Sequence, residues 1–194
     1  VDLRQVAWFP CARRSVTVNV VAPRVPSGDR SVVTRLPDIG GTVRTGTELA
    51  RVAGVRLIAV VADTVFYRDL RVGDRGADVR GLEKALQQVG AISSADGVLD
   101  AATIRAWRRF DPDGPSDRIR VPTLVAVPAR ASLGATKVRV GEVVKPGAVL
   151  REVIAGAGEF RCEVPNAGPE VTPASVTFKV GGNAVETASV TVRP

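Results

Sequence analysis

Between residues 70 and 110 the chain reads LRVGDRGADVRGLEKALQQVGAISSADGVLDAATIRAWRRF, the one stretch with helical periodicity in a sequence otherwise written in strands and turns. Val79, Leu82, Leu86 and Val89 recur at steps of three and four, an apolar stripe on a helix, with Arg80, Glu83, Lys84 and Gln87 on the other side. Gly76 stands where a cap belongs, Asp78 puts a carboxylate in the first turn where the helix dipole favours it, and Gly90 follows the last periodic residue as a stop. Asp96-Gly97 is a turn signal, and Asp100 can cap a second helix with Thr103, Ala106, Trp107 and Phe110 on one face. A short helical turn fits between the two helices at residues 91–95. Domains below about 40 residues rarely stand alone, so this segment has to lean on something, with Trp107 and Phe110 as its contacts.

The rest reads as β-structure. Residues 15–21 alternate, with Val16, Val18 and Val20 on one face. Residues 31–36 form a short strand, and 55–61 (VRLIAVV) is a continuous apolar run read as a buried strand. Strands are expected at 121–128, 136–140, 160–164 and 175–180, then a turn at Gly181-Gly182-Asn183 and a return over 184–192. Residues 1–10, with Trp8 and Phe9, read as an edge strand or entry segment, and 23–30 and 111–117 as loops. The helical stretch is flanked by an internal repeat. Val43, Gly46, Leu49 and Val52 stand at steps of three, as do Val144, Gly147, Leu150 and Val153, and the copies are led by Gly41 and Gly141 with one extra residue in register. Each copy makes sense as strand, glycine turn, strand, because glycine admits a positive φ.

Composition removes most catalytic schemes. There is no His in the chain, hence no Ser-His-Asp or Cys-His relay and no zinc amidase centre. Gly73-Asp74-Arg75-Gly76 lacks the lysine and spacing of a phosphate loop. The pairs Asp96/Asp100 and Asp111/Asp113 lack the ligand series of a calcium loop and are accounted for as turn and cap residues. No metal, cofactor or catalytic residue is expected. The formal charge of +7 comes from scattered arginines without interleaved aromatics, which argues against nucleic acid as a partner. No apolar run reaches the length of a membrane span, and the chain begins at Val1 with no Met anywhere, so an anchor or signal segment upstream of Val1 is expected. Cys11 and Cys162 are too far apart for a metal knuckle; in an exported protein two cysteines most often pair, the alternative being two buried thiols. Trp107 can be core or a platform for a sugar ring, and its spacing favours core.

The residues Leu70, Gly73, Asp74, Gly76, Asp78, Val79, Leu82, Ala85, Leu86, Gly90, Asp96, Gly97, Val98, Thr103, Ala106 and Phe110 follow L-x-x-G-D-x-G-x-D-V-x-x-L-x-x-A-L-x-x-x-G and D-G-V-x-x-x-x-T-x-x-A-W-x-x-F. This resembles the peptidoglycan-binding type 1 domain, a compact helical module of three-helix type. Asp100-Ala101 stands where that family usually has Gly-Pro, and Glu83 where it has Gln. The repeat resembles the half-motifs of biotinyl/lipoyl-like barrels, without the carrier lysine, and more closely the barrel-sandwich hybrid of HlyD-like membrane-fusion, or periplasmic adaptor, proteins, whose halves are split by a helical insertion. The approach through Tyr67-Arg68-Asp69-Leu70 resembles actinobacterial wall-binding adaptor-like proteins associated with ABC export.

The resemblances imply a mainly β fold with a small α insertion. A lipoyl-like hybrid would comprise 31–65 and 118–157, the helical module 66–117, and β-barrel-like strands 1–30 and 158–194. They imply a non-catalytic, extracytoplasmic, peptidoglycan-binding adaptor of an export or efflux system, the alternative being an assembly scaffold of an ABC-type transporter that binds no glycan. The expected partners are peptidoglycan and a transporter permease, with the membrane reached only through an upstream anchor. Arg75, Asp78, Arg80, Asp96, Thr103 and Trp107 are the candidate ligand contacts, and Tyr67, Arg68 and Asp69 lie at the mouth of the module.

Overall fold

A computed structural model describes residues 11–25, 30–162, 177–180 and 183–186, with side chains for 15–25 and 30–155. The chain divides into two compact units, Val16–Gly156 and Val1–Ser15 with Ala157–Pro194. In the second, β10 (Thr177–Val180) and β11 (Asn183–Glu186) pair antiparallel. The entry segment 1–10, the turn at residues 181–182, and the side chains of Cys11 and Cys162 lie outside the described residues. The strands that carry those cysteines, β1 (Cys11–Val21) and β9 (Val149–Cys162), are neighbours in a three-stranded sheet with β8 (Ser132–Thr136).

Within Val16–Gly156 the fold is mainly β with two helices. β2 (Val33–Arg35), β3 (Glu48–Val52) and β4 (Val55–Val61) run antiparallel in turn, and β7 (Leu124–Val127) joins β4 in parallel, Ile58 opposite Leu124 and Val61 opposite Val127. The two repeat copies meet in one core that holds Val43, Leu49, Val52, Val144, Leu150 and Val153. Each copy also donates hydrogen bonds to the strand segment that precedes the other. Gly40 N donates to Leu133 O at 2.8 Å and Val43 N to Ala131 O at 2.9 Å, while Gly141 N donates to Val33 O at 2.7 Å and Val144 N to Ser31 O at 2.9 Å. The register corrects the sequence reading. Gly40, not Gly41, is the partner of Gly141, both with φ near +90°, and no residue is extra. Gly46 and Gly147 are likewise equivalent at φ +93° and +84°, turning into β3 and β9.

A second correction concerns 136–140. The strand there is β8, which ends at Thr136. Its Gly134 looks like a turn signal, yet a Cβ on it would lie 3.0 Å from Ile154 and 3.1 Å from the Glu152 carbonyl. Glycine is needed there for close approach of neighbouring backbone, not for a turn.

β4 explains its own unbroken apolar run. Side chains alternate across a strand, and here both faces are covered. Leu57 and Ala59 enter the core of the repeat halves; Ile58 and Val60 enter a second core, with Leu70, Val79, Leu82, Leu86, Leu99, Ile104, Trp107 and Ile119. The helical segment is thus seated on the back of the scaffold sheet. Its neck is the short pair β5 (Leu70–Arg71) and β6 (Arg118–Ile119), antiparallel, which brings entry and exit together.

Helix α1 spans Ala77–Gln88 and α2 spans Ala101–Trp107. The end of α1 is a Schellman motif: Gly90 N donates to Gln87 O and Ala91 N to Leu86 O, both at 2.9 Å, with Gly90 at φ +70°. Asp100 caps α2 by accepting from Thr103 N at 2.6 Å. Three features depart from the periodic pattern. No helical turn forms over residues 91–95. Val89 is 41% exposed instead of completing the stripe. Glu83, expected on the polar side, is 2% exposed. Phe110 leaves the module to contact the scaffold as expected: its ring lies against Gly46, where no side chain would fit.

Candidate functional site

The module shows solvent two distinct faces. The first surrounds the 96–98 turn. Gly97 sits at φ +83°, Asp96 Oδ1 accepts from Val98 N at 2.9 Å, and the loop carrying Arg75 bridges to Val98. The Arg80 guanidinium lies over Gly97, where an added Cβ would come within 3.2 Å of Nε. Arg75, Arg80 and Asp96, all exposed, therefore share one face. Beneath it, Glu83 Oε2 accepts from Gly97 N at 2.6 Å. Burial pushes the Glu83 carboxyl above its ordinary range; the Gly97 N–H opposes this, and Asp96 and Asp100 add to it.

This arrangement makes a test of the departure at Glu83. Glutamine keeps an acceptor for Gly97 N–H and removes the buried charge. A carboxyl whose folded pKa is raised favours the fold below its unfolded pKa and loses that contribution as pH rises through the folded value. Glu83→Gln is therefore expected to stabilise the protein at neutral pH by about 1 kcal/mol, a few degrees in Tm, after the weaker neutral hydrogen bond is allowed for. The gain disappears near pH 4, where the wild-type carboxyl is itself protonated. Thermal melts at the two pH values check both parts.

Asp78 and Arg68 form the hinge between module and neck. Arg68 Nε donates to Asp78 Oδ2 at 2.8 Å, and Nη2 donates to the Arg75 carbonyl at 2.9 Å. Arg68 Nη1 also lies 3.3 Å from Asp74 Oδ1. The hydrogen bond from Arg68 holds the buried Asp78 carboxyl below the usual carboxylate range, against the opposing effect of burial. Asp69 Oδ1 accepts from Val121 N at 2.9 Å and Oδ2 lies 3.5 Å from Arg118 Nε. Arg68 and Asp69 thus tie the module to its neck, while Tyr67 stays exposed with the Arg68 guanidinium 5.8 Å from its ring centroid.

The second face is a cleft of about 530 Å³ between the segment after α1 and the outer side of α2. One wall is Ala91 to Ser94; the other carries Asp100, Ala102, Thr103, Arg105, Ala106 and Arg109. Thr103 lies at the buried edge, and Asp100 is held below the usual carboxylate range chiefly by the Thr103 N–H. Trp107 belongs to neither face: it is 2% exposed, packs with Phe110 at 6.0 Å between ring centroids, and has no hydrogen-bond partner for Nε1.

Of the six candidate contacts, Arg75, Arg80 and Asp96 come together, Thr103 borders the cleft, and Asp78 and Trp107 are buried among protein partners. Sequence reasoning missed Arg105 and Arg109. Their one signal was position, four residues apart and outside the apolar set Thr103, Ala106, Trp107 and Phe110. Among the described residues no group of three or more His, Cys, Asp or Glu is placed to hold a metal ion, and no helix is long and apolar enough to cross a membrane. Comparison with protein-family models, with curated proteins and with solved structures finds no match to this chain.

Proposed function

We propose that this chain is a non-catalytic, extracytoplasmic adaptor of an export system that binds peptidoglycan through residues 66–117, carried on a barrel-sandwich hybrid of the HlyD-like type. The observation that carries the reading is how the module is mounted. Its apolar face is spent on β4 and β7, and its neck is closed by β5 and β6, while the cleft beside α2 is left open to solvent. Concave surface left clear of the packing contacts is where a ligand can enter. The hybrid-barrel part of the reading is supported by the reciprocal hydrogen bonds between the two repeat halves.

Intact protein is expected to sediment with purified sacculi and to be released by soluble muropeptides. Protein that stays in the supernatant at every sacculus concentration overturns the reading. A second reading, assembly with a transporter permease without glycan binding, draws on one observation. Ile39 and Val140 occupy equivalent places beside the Gly40 and Gly141 turns and are 64% and 60% exposed. Aliphatic residues at paired turns are suited to contact with another protein. Co-purification with a permease, without sacculus binding, favours that reading.

A further inference from the structure

We propose that the cleft beside α2 takes a peptide group bearing both a free carboxylate and a free amine, the carboxylate held by Arg105 and Arg109 and the amine by Asp100. This rests on the wall-binding reading and names the part of the wall that is recognised: the peptide stem, not the glycan strand.

The lining of the cleft is the first support. Arg105 and Arg109 both line it, and among the described residues neither lies within ion-pair distance of a carboxylate. Arg105 lies on α2 and Arg109 in the turn just beyond its end, and both line the same cleft, so an anion entering it meets two positive charges. Asp100, on the same wall, is exposed, and the Thr103 N–H favours its charged form. Positive and negative groups along one wall of the cleft complement a zwitterion. A neutral sugar offers hydroxyls for hydrogen bonds but no charge to pair with either group, and a phosphate polymer leaves Asp100 facing like charge. Ala102 and Ala106 on one wall, with Ser93 and Ser94 opposite, are small enough for a peptide backbone to enter. The volume, about 530 Å³, falls within the usual size of small-molecule sites.

The test uses the intact chain and sacculi in two forms, untreated and with stem carboxylates converted to amides. Arg105→Gln combined with Arg109→Gln is expected to weaken retention on untreated sacculi about a hundredfold, near tenfold for each charge-assisted hydrogen bond lost. Amidated sacculi are expected to hold wild-type protein as weakly as untreated sacculi hold the double variant. Both arginines are exposed, so the variant keeps its fold, which a melting curve verifies. Arg35→Gln with Arg139→Gln, two exposed arginines of the scaffold, removes the same charge and is expected to leave retention unchanged. Wild-type retention by the cleft variant, or equal losses in the two double variants, overturns the proposal while the wall-binding reading stands. If wild-type protein does not bind sacculi at all, that reading fails. A soluble stem tripeptide with free amine and carboxylates then decides the site. Amide shifts at Ser93, Ser94 and Thr103 support it, and an unchanged spectrum overturns it.

Discussion

Trp107→Ala is expected to cost about 4 kcal/mol and to unfold the helical module before the scaffold. The residue is among the largest fully buried side chains, and it stands between α1, α2 and the back of β4 in the second core. Large aromatic-to-alanine changes in a core cost about 3–5 kcal/mol, because transfer energy is lost and a cavity remains. None of that core's buried residues belongs to the core shared by the repeat halves. Hydrogen exchange should therefore show α1 amides losing protection while β3 and β9 keep theirs. Uniform loss across both, or a Tm within a degree of wild type, contradicts the two-core description. Trp107→Phe should cost much less, since Nε1 has no partner to lose, and should retain sacculus binding because the ring does not reach solvent.

Arg151→Ala is expected to destabilise the scaffold by about 3 kcal/mol or more. Arg151 is 0% exposed and donates to three carbonyls from separate segments: Pro37 O at 3.0 Å, Leu49 O at 3.2 Å and Gly134 O at 3.1 Å. Burial lowers its pKa from the ordinary arginine value, and the carbonyls stand in for a carboxylate at Nη1 and Nη2, while Nε has no partner. Alanine leaves the acceptors without a donor in a place closed to water, in addition to opening a cavity. Arg151→Met separates the two effects. It fills the volume and restores no donor, so most of the loss should persist in urea unfolding of the methionine variant. Full recovery of the unfolding midpoint by methionine assigns the role of Arg151 to packing alone.

Much of the module was legible because its determinants are local. The spacing of Val79, Leu82 and Leu86, the glycine after α1 and the Asp100 cap act within one or two turns of chain, and each appears where it was read. Glu83 escaped that reading because its partner, the Gly97 N–H, comes from the far side of a loop. A carboxylate at that helical position is solvent-facing until a turn folds over it. The ligand contacts were only partly legible for the same reason. Arg105 and Arg109 carry no local mark that separates them from the other scattered arginines, and the cleft exists only once the 91–94 segment lies beside α2.

By itself, then, the sequence determined the helices, the two glycine-hinged repeat copies and the buried nature of β4, since periodicity and positive-φ glycines act over a few residues. The tertiary structure alone decided that β4 separates two cores, that Arg151 joins three distant carbonyls, and that the cleft-lining residues meet. The reason is physical: whether a polar or charged group is buried, paired or free is set by neighbours that are remote along the chain and near only in the folded molecule.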